Sequence, residues 1–293
     1  MSTQPPGVPG SPELQGFRAE VFSRTDLPTI PVVLGRILSV IEGERSSTRD
    51  LVEVIERDQA LTSRLLKLAN SALFGCSRKV ATVPRGIVLL GFTTVRNLAL
   101  GVKMWDTLSV GGRQGEMVGA LWYHSALVAA ASKLIATRIR GTDPDVTFTA
   151  GLLHDVGKLV ISLKIGARYW SVIESATAER PIDVIEQQEF GVEHGQVGGW
   201  LAEAWRLPAS IVVAIRDHHQ QLLSATAWSS ERVVSVADQL VHGTDIVSGE
   251  LLPGALAVLD RTADQGFTAE DWAEMIGPLR AEADVLSGLF RGA

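Results

Sequence analysis

Residues 151–160 read GLLHDVGKLV, an apolar run into which a histidine, an aspartate and a lysine are set at positions 154, 155 and 158. The apolar residues on either side recur at helical spacing, which predicts a helix from Gly151 to Leu163. Burying His154 and Asp155 in such a stretch is costly unless each is hydrogen-bonded or gathered around something that binds it. A neutral imidazole beside an ionised carboxylate suits a borderline divalent metal, and the carboxylate has two oxygens with which to bridge two ions. Lys158, at i+4 from His154 and i+3 from Asp155, shares their face and offers a cation to an anionic ligand. Gly157 inside the helix costs roughly 1 kcal/mol relative to alanine and implies close approach of another helix or a ligand.

The same periodicity extends outward in both directions. Upstream, Val32, Val33, Ile37, Leu38 and Ile41 mark one amphipathic helix, Leu51, Val54 and Ile55 a second, and Leu61, Leu65, Leu66 and Leu68 a third. Ser47 with Asp50 forms a capping box, Asp58 can cap the helix beginning near Ala60, and another helix follows Thr93. Downstream, helices are expected from Met117 to about Ile139, Arg168 to Ala178, Ile182 to Phe190, Glu193 to Trp205, Pro208 to Asp217, Glu231 to Leu240 and Thr268 to Phe290. Alternating β-branched runs bounded by turns are missing, so the fold class is all-α. The expected organisation is a disordered leader at 1–16, an N-terminal helical half at 17–110, a helical core at 114–247 and a C-terminal extension at 248–293. Gly111, Gly112 and Gly115 mark the joint.

Composition narrows the function classes. The 293 residues carry 27 Lys plus Arg against 33 Asp plus Glu, a net charge of −6, with 46% apolar and 20% charged content. That is a chain able to bury a core, and its acidity argues against nucleic acid or anionic lipid as a general partner. The single cysteine, Cys76, and a start lacking a secretory signal make a cytoplasmic location the expectation. Met117 to Ala136 is the most membrane-like stretch, but it contains His124, Ser125 and Lys133 and reads as a buried core helix.

Six histidines stand at 124, 154, 194, 218, 219 and 242, the first five in or beside apolar helical segments. The adjacent pair His218-His219 has an alternative reading at a helix C-terminus, where imidazolium complements the dipole. Gly195, Gly198 and Gly199 sit within the stripe His194, Val197, Leu201, Ala204 and Trp205, with no strand before them, and read as a helix-packing notch rather than a phosphate loop. Arg138, Arg140 and Arg216 are expected to be solvated or paired. Asn70-Ser71 is expected to close a helix by local side-chain bonding.

The order His124, His154-Asp155, Asp238 resembles the H…HD…D pattern of the HD-domain metal phosphohydrolase superfamily. The segments LPTIPVVLGRIL, LVEVIERDQALTSRLLKLANSALFG, GIVLLGFTTVRNLAL, EHGQVGGWLAEAWRLP and IVVAIRDHH, within about Leu27 to His219, look like its HDOD family of bacterial signalling domains. The resemblance implies an HD-like helical core behind an added N-terminal helical part, and a regulatory module that binds a protein or ligand. Where many members have lost the metal ligands, this sequence keeps them. Metal one would take His124, His154, Asp155 and Asp238; metal two would take Asp155, His194, His218 and His219.

Up to two divalent ions, iron or manganese, are implied, and enzyme status stays open. If the centre is active, Asp155 and Lys158 are the catalytic candidates, for metal-dependent hydrolysis of a nucleotide or cyclic di-nucleotide. The sequence departs from the HD-GYP relatives, since Gln220-Gln221 stand where Gly-Tyr-Pro would follow, and Ala120 occupies the place of the glutamate found in three-metal members. A signalling protein is the expected partner, with a nucleotide or cyclic di-nucleotide as a possible ligand.

Overall fold

The computed structural model describes residues 32–42, 47–70, 79–109, 115–177, 179–220, 227–245, 248 and 250–290. The leader at 1–16, the joint at Gly111 and Gly112, Ser71 and Cys76 lie outside them. Among the described residues the chain is all-α, with one isolated antiparallel bridge between Thr244 and Leu251.

Among the described residues, five helices make the N-terminal half: α1 (Val32–Glu42), α2 (Thr48–Glu56), α3 (Gln59–Ala69), α4 (Val83–Leu90) and α5 (Phe92–Ser109). Their starts obey the capping chemistry in the sequence. Ser47 and Asp50 form the reciprocal box, Asp58 accepts from the Leu61 amide at 2.9 Å, and Thr82 caps α4 ahead of Pro84. Asn70 closes α3 by donating to the Leu66 and Val80 carbonyls and accepting from the Val80 amide, which ties the helix end to the next segment.

The remaining helices are α6 (Gly115–Arg138), α7 (Pro144–Leu153), α8 (Val156–Ile165), α9 (Ala167–Glu174), α10 (Ile182–Phe190), α11 (His194–Ala204), α12 (Ala209–Arg216), α13 (Ser230–His242), α14 (Pro253–Ala263) and α15 (Ala269–Phe290). Long α6 is the axis of this half. It packs against α7, α13 and α15, while α11 packs on α8 and α12, and α5 joins the two halves by packing on α7. One continuous apolar core runs from Ile37 and Leu51 through Val128, Leu153 and Val236 to Trp272 and Leu279.

Two departures from the sequence reading are informative. The helix expected from Gly151 to Leu163 is broken: α7 stops at Leu153 and α8 restarts at Val156, with Asp155 at φ −93°, ψ 5°. In a continuous helix, neighbouring side chains diverge by about 100°, so the break is what lets His154 and Asp155 address the same space. Helix α14 is the second departure, begun by Pro253 in its first turn within what reads as an undivided extension.

Glycines permit the tightest packing at the site. A Cβ on Gly157 would lie 1.9 Å from the His194 carbonyl oxygen, so α8 and α11 touch through backbone. On Gly195, Gly198 and Gly199 it would come within 2.8 to 2.9 Å of Arg216 or Ile215, which makes these three the notch that receives α12.

Candidate metal centre

Six segments deliver polar side chains to one place. Helix α6 brings His124, the α7–α8 break brings His154 and Asp155, and α8 brings Lys158. The first residue of α11 is His194, the turn after α12 carries His218 and His219, and α13 contributes Asp238 and His242. His154, Asp155, Lys158, His194, His218 and Asp238 are all buried. The structure therefore brings together all eight sequence-predicted site residues.

The orientation of the imidazoles is fixed from behind. His154 Nδ1 donates to the Gly151 carbonyl at 2.7 Å, and His218 Nδ1 donates to the Ile215 carbonyl at 2.7 Å. His194 Nδ1 lies 2.6 Å from Glu186 Oε2, which also accepts from the His194 amide at 2.7 Å. With each Nδ1 committed, each Nε2 turns its lone pair inward. The result is a cluster of ring nitrogens facing one another: His194 Nε2 stands 2.9 Å from His219 Nε2 and 3.3 Å from His218 Nε2. His154 Nε2 and Asp155 Oδ1 are buried without a hydrogen-bond partner. Leaving such groups unpaired costs on the order of 1 to 3 kcal/mol each, a cost that a cation at the centre removes.

The spacing fits ions. His194, His218 and His219 present ligand atoms within 4.8 Å of one another, as do His124, His154 and Asp155, and a further group of His124, Asp238 and His242. Asp155 lies between the first two groups, with Oδ1 3.1 Å from His194 Nε2 and Oδ2 3.9 Å from His124 Nε2. A mixed imidazole and carboxylate set of this kind suits zinc, iron or manganese, and the residues present fit the metal that the HD pattern implies.

Electrostatics point the same way. Burial opposes ionisation of Asp155, yet His154 and Lys158 hold its carboxyl well below the ordinary range. Burial likewise works against Asp238, and His242 and His124 overcome it. At His194 burial disfavours the cation, but the Glu186 carboxylate lifts its pKa to about 9. His218 and His219 are pushed well down, first by burial and then by neighbouring imidazoles. Lys158 stays charged despite burial because Asp155 Oδ2 accepts from its Nζ at 2.8 Å.

Sequence reasoning passed over two residues here. Glu186, fully buried on α10, is hydrogen-bonded by Tyr169 on one oxygen and by His194 on the other. An acid in a half-apolar helix gives no local sign of that task. His242 stands outside the ligand set that the resemblance implies, although its place one turn after Asp238 is a legible signal.

The HDOD domain family model matches residues 27–221. The chain belongs to the HDOD family. Among solved structures it is similar to a candidate phosphohydrolase of Shewanella amazonensis, at 21% identity and a TM-score of 0.73, covering 93% of this chain and 98% of that one. An HDOD domain protein of unknown function from Geobacter sulfurreducens is 26% identical with a TM-score of 0.69, covering 94% and 97%. An uncharacterised protein of Treponema pallidum is 29% identical over 196 residues, 66% of this chain, which spans only 38% of that relative's length. These matches agree with the all-α, HD-like architecture.

Proposed function

We propose that this HDOD protein is a signalling module, binding a protein or small ligand, whose core retains a dinuclear divalent-metal centre. The observation that carries the reading is the inward convergence of imidazole Nε2 atoms with His154 Nε2 and Asp155 Oδ1 left unpartnered. His124, His154, Asp155 and Asp238 would hold one ion, and Asp155, His194, His218 and His219 the other. A centre this buried is suited to holding the α6, α7, α8, α11, α12 and α13 arrangement in a metal-dependent state. The signalling half of the reading is supported by family membership and by a similar structure described as a candidate signal transduction protein of Marinobacter aquaeolei, 21% identical with a TM-score of 0.66. Val88 and Leu89 of α4 are exposed, and apolar side chains of this kind serve docking in the N-terminal half.

A second reading, metal-dependent phosphohydrolysis of a nucleotide or cyclic di-nucleotide, is favoured by Lys158. Its ammonium is charged, buried and fixed on Asp155, in a position to attract an anionic ligand to the centre. A bound divalent pair supplies Lewis-acid charge that acidifies water and offsets charge on phosphoryl oxygens. Asp155 positions that chemistry, and Lys158 in turn positions Asp155.

Metal content by inductively coupled plasma mass spectrometry, on protein purified without a metal-binding tag, tests the first reading. Near two equivalents are expected, falling to one or none in Asp155→Ala; a metal-free chain that takes up none on reconstitution overturns it. Screening phosphomonoesters and phosphodiesters against the same pair tests the second, which turnover no greater than that of Asp155→Ala ends.

A further inference from the structure

His242 is the histidine that the two-ion assignment does not use. It sits on α13 one turn after Asp238, with Nδ1 3.0 Å from Asp238 Oδ1, and its side chain is 62% exposed. His124 Nε2 approaches the same oxygen at 2.9 Å, and the His124 and His242 rings lie 4.3 Å apart. His124, Asp238 and His242 thus form a group whose ligand atoms fit around one ion. It differs from the neighbouring group of His124, His154 and Asp155 in facing solvent.

The two groups share His124, and an imidazole nitrogen has a single lone pair to give. His124 Nε2 can therefore serve the inner position or the outer one, not both together. Asp238, with two carboxylate oxygens and 3.5 Å from its Oδ1 to His154 Nε2, reaches toward both. We propose that His124, Asp238 and His242 form an outer, solvent-facing divalent-cation position from which an ion passes to the buried centre by exchanging His242 for His154 and Asp155. The ligand class is a borderline divalent ion taking nitrogen and oxygen donors. This rests on the reading of the buried centre as a metal site, and it adds the route by which that site loads. A buried ion must shed its water stepwise, and an exposed imidazole sharing two ligands with the interior provides the intermediate stage.

Cobalt(II), followed by its visible absorption and by bound-metal analysis on the full chain after chelation, tests it. His242→Ala is expected to reach the same final cobalt content as the wild type but roughly tenfold more slowly. Asp155→Ala, which takes the carboxylate from the inner group of His124, His154 and Asp155, is expected to keep one equivalent more than Asp155→Ala with His242→Ala. Equal uptake rates in wild type and His242→Ala, or equal content in Asp155→Ala with and without His242, overturn the outer position while leaving the buried centre standing. No cobalt bound by the wild type overturns both.

Discussion

Two clusters of charged and polar side chains, one in each half of the molecule, are built on opposite terms. In the N-terminal half, Arg64 of α3 pairs with Asp106 of α5, while Lys103 of α5 lies 2.7 Å from Asp58 and 3.4 Å from Asp106. Two cations meet two anions, and the remaining oxygen of Asp58 accepts from the Leu61 amide. Burial works against the charge on Asp58, but that amide and Lys103 keep its carboxyl below the ordinary value. The network is satisfied from within and staples α3 to α5. In the C-terminal half, the histidine centre brings imidazole nitrogens within 2.9 Å of each other and leaves buried atoms unpaired. A cluster complete in itself is structural; one that leaves buried ligand atoms unpaired is suited to take up a cation.

The largest effect expected from this contrast is a metal-linked gain in stability confined to the centre. Free divalent metal at about a thousandfold excess over its dissociation constant should raise the unfolding free energy of the chelated protein by about 4 kcal/mol per site. Denaturant unfolding with chelator and then with manganese or zinc reads it directly. Asp155→Ala should lose most of the gain, and identical curves with and without metal in the wild type would show that the centre is as self-sufficient as the N-terminal network.

Much of this contrast can be read from sequence, and the limits are physical. Helical periodicity located α10 from Ile182 to Phe190 without error, because its apolar spacing and flanking Pro181 and Gly191 are local signals. The capping box at Ser47 is equally plain, and it forms. The residues that the HD resemblance implies as ligands come together in the structure. What stayed hidden depends on three-dimensional partners. The break at His154-Asp155 has neither proline nor glycine within the pair and follows from what the two side chains face. Glu186 gains its role only through contact with Tyr169 and His194, 17 residues before and 8 after it.

Glu186 makes the boundary of the centre testable. A carboxylate behind a metal-ligating imidazole orients the ring and raises its basicity, and removing such a partner commonly weakens metal affinity about 10- to 100-fold. Glu186→Gln keeps the size and an acceptor for the His194 nitrogen but removes the charge. Its metal affinity, measured by competition with a chromophoric chelator, should fall within that range while the number of bound ions is unchanged. An affinity equal to that of the wild type would mean that backbone contacts alone orient the ligands, as they do for His154 and His218.

The smallest effect belongs to the satisfied network, and its value is as a control of opposite character. Lys103→Met keeps most of the aliphatic length of the side chain and removes the charge between Asp58 and Asp106. Arg64 still neutralises Asp106, and the Leu61 amide still serves Asp58, so the loss should be about 1 kcal/mol, the scale of a partly exposed ion pair. Because none of these residues touches the histidine centre, the same loss should appear with metal and with chelator. A loss that differed between the two conditions would show that α5, which packs on α7 next to the His154-Asp155 break, transmits the state of the centre to the N-terminal half. The two clusters would then be one coupled system, and the staple between α3 and α5 would become the first place to look for a metal-dependent output.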